Sequence, residues 1–185
     1  MSKVLQFFVF SLFIFLAGCS SISKYDDNEA VAIVKGQEIT KGDLRFLHPD
    51  HTALDYLDWA IKIELVKQKV EEMDLPISDN LSEDRDGGWF GELPPKDTKD
   101  EDGKAIRRFA ESQAKKLDMK PEEFQREYAK KIEEQNAYLA TYLAKKLGVE
   151  EFDVEKGMVE FNEEVDYLLE ELVEESEDEI EVLIE

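Results

Sequence analysis

The chain has one cysteine, two histidines, five prolines and two tryptophans in 185 residues, and half as many bases as acids. One cysteine excludes a disulfide framework and any cysteine-rich zinc site. Two histidines leave little for metal or general-base chemistry. With 23 bases against 45 acids, the formal charge is −22. A surface of that sign repels phosphate backbones, so nucleic acid is excluded as a partner. No phosphate-binding glycine loop, Gly-x-Ser-x-Gly turn or nucleophile–base set is present. The sequence therefore offers no catalytic residues and no cofactor site, and an enzyme is not expected.

The charge is concentrated. Residues 149–185 hold 17 acids and one base, Lys156, which leaves the rest of the chain at a net of −6. The one long apolar run, Val4 to Ala17, follows a positive start and precedes Gly18. It falls short of the ~20 residues that a membrane span requires, and it reads as a signal segment. Leu16-Ala17-Gly18-Cys19 resembles the lipobox of bacterial lipoproteins. That resemblance implies cleavage after Gly18, diacylglyceryl transfer to Cys19 and attachment to the extracytoplasmic face of a bacterial membrane. Polar residues 19–30 read as a tether, and the eleven from Ser20 to Ala30 reach at most about 35–40 Å.

The remainder is patterned. Val31 to Val34, a Lys35-Gly36 turn and Gln37 to Thr40 predict a short β-hairpin. Thr40 with Asp43 predicts a helix cap, and Pro49 closes the short helix that follows. Apolar residues at helical spacing predict a long helix over 52–74, ended by Pro76. Residues 80–104 hold only Leu81, Trp89, Phe90 and Leu93 as apolar residues, with glycines and Pro94-Pro95 between them, so a long loop is expected. Periodicity resumes at Ala105. A further helix runs from Pro121 to Gly148, which suits a C-cap. A last helix over 159–175 carries Phe161, Val165, Leu168, Leu169, Leu172 and Val173 on one face and acids on the other. The segment after Ser176 reads as frayed. The expected fold class is mainly α: a small helical bundle with one short N-terminal β-hairpin. The expected organisation is a signal at 1–18, a tether at 19–30, a helical domain at 31–148, and an acidic helix and tail at 149–185.

The stretch Val31-Ala-Ile-Val-Lys-Gly-Gln-Glu-Ile-Thr-Lys-Gly-Asp-Leu44 resembles the start of SurA-type and PrsA-type chaperone domains: strand, turn, a strand ending Ile-Thr, helix. Asp58 to Asp79 resembles the helix and exit that follow, with Asp74-Leu75 in place of the usual Gly-Ile and Lys35 in place of the usual Asn. A weaker likeness covers 117–148. The parvulin isomerase module of those families is missing, and the loop at 80–104 is too short to hold it. The resemblance thus implies a SurA-N-like domain that binds unfolded or exported polypeptides without isomerising proline bonds, with the 161–173 helix packed back on it. A structural or adaptor lipoprotein docking one envelope partner is the alternative.

Trp59, Trp89, Phe90, Phe124, Tyr138 and Tyr142 are the candidate polypeptide-binding aromatics, and most of these also fit core positions. His48-Pro49-Asp50-His51 offers too few ligands for a metal site, and the acidic loops near Asp86 and Asp102 lack the ligand order of a calcium loop. No metal is expected.

Overall fold

Lys35 and Gly36 have φ of 50° and 84°. Two successive positive φ values form the tight turn that suits the twist of a β-hairpin, and glycine takes the second at no steric cost. The turn joins β1 (Ala30–Val34) to β2 (Gln37–Thr40). The computed structural model describes residues 26–81, 88–148 and 158–184, with Gly88, Trp89 and Met158 to Glu160 described by backbone alone. The Gly18 cleavage, the Cys19 lipidation and most of the tether lie outside the described residues.

Thr40 caps α1 (Lys41–Leu47): its hydroxyl accepts from the Asp43 N–H, and the Asp43 carboxylate accepts from the Thr40 N–H. Gly42 in the first turn is required by a crossing. A Cβ there would stand 2.8 Å from the Asp27 carbonyl oxygen, which accepts the Gly42 N–H. The predicted 52–74 helix divides into a 3-10 turn at Ala53–Tyr56 and α2 (Leu57–Glu72). Met73 caps α2, and Asp74, with φ of 52°, turns the chain out of it.

The segment expected to be loop over 80–104 is more ordered at its end. A 3-10 turn occupies Gly88–Gly91, and α3 (Glu101–Lys116) starts four residues before the apolar periodicity does. Its first turn is wholly polar, and Asp100 starts it by accepting the Gly103 N–H at 2.7 Å. α4 (Pro121–Leu147) has proline in its first turn and ends at Gly148, whose φ is 66°. α5 (Met158–Glu175) follows.

The chain end is not frayed. After a 3-10 turn at Glu177–Glu179, Ile180–Val182 forms β3, antiparallel to β1, and the sheet order is β2-β1-β3. The expected hairpin is thus two strands of a three-stranded sheet. β1 is central, and Val31, Ala32 and Val34 are fully buried. The architecture is mainly helical, with five α-helices and this small sheet among the described residues.

Among the described residues the apolar side chains form two clusters. The larger joins the sheet, α2 and α5 through residues such as Val31, Leu65, Val66, Val70, Leu169 and Leu172, with Tyr142 of α4. The smaller lies between α3 and α4 around Ala110, Ala114 and Phe124.

Candidate functional site

α3 and α4 lie against each other, joined by a short connection in which Asp118 has φ of 54°. The arm formed by residues 88–100 lies across this helix pair. Two side chains tie it down. Arg107 Nε donates to the Pro94 carbonyl at 2.7 Å, and Gln125 Nε2 donates to the Phe90 carbonyl at 2.7 Å. The arm does not fill the space beneath it. An open groove of about 1340 Å³ runs between the arm, α3 and α4.

The groove is mostly apolar. Leu93, Pro94 and Pro95 line it from the arm, Ile106 and Phe109 from α3, and Tyr128 and Ile132 from α4. Phe90 is 73% exposed and Ile106 42% exposed, both on its lining. Large apolar side chains thus stand exposed beside an open, mostly apolar groove. The groove lining is set by an aromatic cluster. Phe109 and Tyr128 meet edge to face at 5.3 Å, and both pack on Phe124 at 5.7 Å between ring centroids. Phe46 of α1 contacts Phe124 from another side at 5.2 Å. Burial pushes the Tyr128 phenol above its ordinary pKa, so the ring stays neutral.

The predicted aromatics scatter. Of the five whose side chains are described, Phe90 alone lines the groove. Phe124 is fully buried as the hub of the smaller cluster, and Tyr142 is buried in the larger one, so both are core rather than contact residues. Helical periodicity cannot separate a stripe that meets another helix from one that meets a ligand, which is why these two read alike. Tyr138 packs half-buried against the larger cluster and donates its hydroxyl to Glu71 at 3.2 Å. Trp59 is 41% exposed on α2 and is not part of the groove lining. The Trp89 side chain lies outside the described residues. Conversely, Ile106, Phe109, Tyr128 and Ile132 fell on helical stripes that looked like core, and only the arm leaves them open.

α5 packs against the larger cluster. Leu169 and Leu172 are buried in the larger cluster with Val165 packed beside them, and Phe161 and Leu168 are half-buried. Lys62 of α2 reaches Glu170 at 2.6 Å across the same interface.

The His48–His51 segment is tied up otherwise. His48 stacks on Tyr56 with ring centroids 3.7 Å apart. Asp50 accepts from Arg45 and Lys116, and Arg45 also pairs with Asp27. Burial alone would raise the Asp50 carboxyl, but the hydrogen bonds from Lys116 and Arg45 outweigh it and hold it below its ordinary range. Burial pulls the Lys116 ammonium down, with Asp50 opposing. Among the described residues no group of three or more His, Cys, Asp and Glu side chains is placed to hold a metal. No helix among them is long and apolar enough to cross a membrane.

No protein-family model, no curated protein and no solved structure matches this chain.

Proposed function

We propose that this is a lipid-anchored extracytoplasmic protein that binds unfolded or exported polypeptides in the manner of a chaperone, without isomerase activity. The open apolar groove beneath the 88–100 arm, with Phe90 and Ile106 left in water, is the observation that carries this reading. Its volume exceeds the few hundred to about 1,000 Å³ usual for small-molecule pockets, and its open form suits a chain segment better than an enclosed ligand. The strand–turn–strand–helix start at Val31 to Leu44 and the lipobox at Cys19 add support through the resemblance they carry.

Chemically unfolded client proteins are diluted into buffer with and without the purified full-length chain. Slower growth of light scattering is expected, and no effect on any client would overturn the proposal. Proline-peptide isomerisation is expected at the background rate. Cys19→Ser is expected to release the chain from the membrane fraction.

A second reading, an adaptor docking one envelope partner, is favoured by Tyr167, which is 67% exposed on the otherwise acidic outer face of α5. Pull-down from membranes separates the two. Many unrelated clients support the first reading, and one stoichiometric partner supports the second.

A further inference from the structure

The groove has a charge as well as an apolar surface. Its charged lining residues among those described are Glu92, Asp100, Asp102 and Glu133, with no lysine or arginine among the described lining residues. Glu92, Asp100 and Asp102 are exposed, so they stand at the rim rather than in the floor. This acidity is local. None of the described residues of the acidic C-terminal segment lines the groove. These three rim carboxylates beside an apolar trough, in water of moderate salt, favour cations within a Debye length of about 8–10 Å.

The groove also holds an incomplete hydrogen bond. Gln125, on its lining, is 6% exposed. Its Nε2 donates to the Phe90 carbonyl, while its Oε1 is buried with no donor among the described residues. An orphaned buried acceptor is costly, and a guest that reaches it with an N–H recovers that cost. An acyl chain has no N–H to give, and its carboxylate would meet the acidic rim. A wholly polar cationic chain would leave the apolar lining at Ile106, Phe109 and Tyr128 uncovered.

We infer that the groove under the 88–100 arm binds a polypeptide segment whose apolar residues are flanked by lysine or arginine. The apolar side chains lie on Ile106, Phe109 and Tyr128, a backbone N–H completes Gln125 Oε1, and the cationic flanks meet the Glu92, Asp100 and Asp102 rim. This rests on the polypeptide-binding reading above and adds to it the site and the class of client.

The test uses fluorescence anisotropy with the purified full-length chain and three dye-labelled peptides: a Leu/Phe core with lysines at both ends, the same core with glutamates, and a Ser/Gly core with lysines. The lysine-flanked apolar peptide is expected to bind roughly tenfold tighter than the glutamate-flanked one at low salt, with the gap narrowing as salt rises. One N-methylated position in its core is expected to weaken it several-fold, because the donor for Gln125 is gone. Ile106→Asp, at an exposed position that should not disturb folding, is expected to abolish binding of both apolar peptides. The pair Glu92→Lys and Asp102→Lys is expected to reverse the flank preference. Equal binding of the two apolar peptides, or unchanged binding by Ile106→Asp, overturns the inference. So does equal binding of the Ser/Gly peptide, which would assign the attraction to charge alone. If Ile106→Asp still suppresses client aggregation, the groove assignment fails while the polypeptide-binding reading stands. If the unaltered chain binds no peptide and protects no client, both fail.

Discussion

Gln113 shows how much one side chain can hold. It is 3% exposed, and its Nε2 faces the carbonyls of Arg45, Phe46 and His48 at 2.8, 3.2 and 3.1 Å. These are carbonyls that the end of a short helix leaves without partners. A residue of α3 thus completes α1. Gln113→Leu leaves the Phe46 and His48 carbonyls unbonded, while the Arg45 carbonyl keeps the Lys116 ammonium as its donor, and a loss of about 1–3 kcal/mol is expected in urea denaturation. His48 is a second single-residue device. Burial lowers its pKa below the ordinary 6.5. The unfolded chain therefore takes up a proton at a higher pH than the folded one does, and stability falls as pH drops through that window. Melting temperature is expected to decline between about pH 7.5 and pH 5.5, and His48→Phe, which keeps a ring on Tyr56, is expected to remove that part of the decline. At lower pH, protonation of Asp50 removes its bonds from Arg45 and Lys116, a loss that His48→Phe leaves in place. Neither device could be read in the sequence, because a glutamine on a helix and a histidine in a turn are ordinary until their neighbours are known.

Among the elements, β3 departs most from expectation. Ile180-Glu181-Val182 alternates in the way a strand does, yet three residues after an acidic run give no reason to expect pairing. β1 supplies the reason. Its own outer edge would otherwise leave buried N–H and C=O groups unpaired, and the Leu183 N–H donates to the Val31 carbonyl while the Lys35 N–H donates to the Glu179 carbonyl, at 2.9 and 2.8 Å. Ending the chain before Ile180 is expected to cost about 2 kcal/mol or more, from lost pairing and from the burial of Ile180 and Ile184 against the core. Hydrogen exchange should show faster exchange through β1 in the truncated chain, and unchanged exchange there would refute the structural role of the tail. The helices with strong signals were legible: the Thr40–Asp43 cap, Pro121 at the start of α4, Gly148 at its end, and the apolar face of α5. The start of α3 was not, because a cap and a polar turn carry no periodicity.

For the whole molecule, the net charge of −22 sets a general repulsion on which local ion pairs are superposed. The pairs that cross between elements, such as Lys62 with Glu170 and Lys35 with Glu72, lie at the surface and contribute little each. Screening the repulsion is therefore expected to dominate. The melting temperature should rise between low salt and about 0.15 M, as the Debye length shrinks from about 30 to 8 Å. A fall would mean that the ion pairs outweigh the repulsion.

The mainly helical class, the hairpin, the helix caps and the docking face of α5 follow from the sequence, because periodicity, turn chemistry and capping are properties of neighbouring residues. The net acidity is equally a matter of composition. Only tertiary structure decides which apolar stripe is core and which is groove. Phe124 and Tyr128 stand four residues apart on one helix face, yet the first is sealed beneath the second and the second lines the open space. That difference depends on where the 88–100 arm crosses the helices, and two side-chain bonds, from Arg107 and Gln125 to carbonyls far away in sequence, fix the crossing.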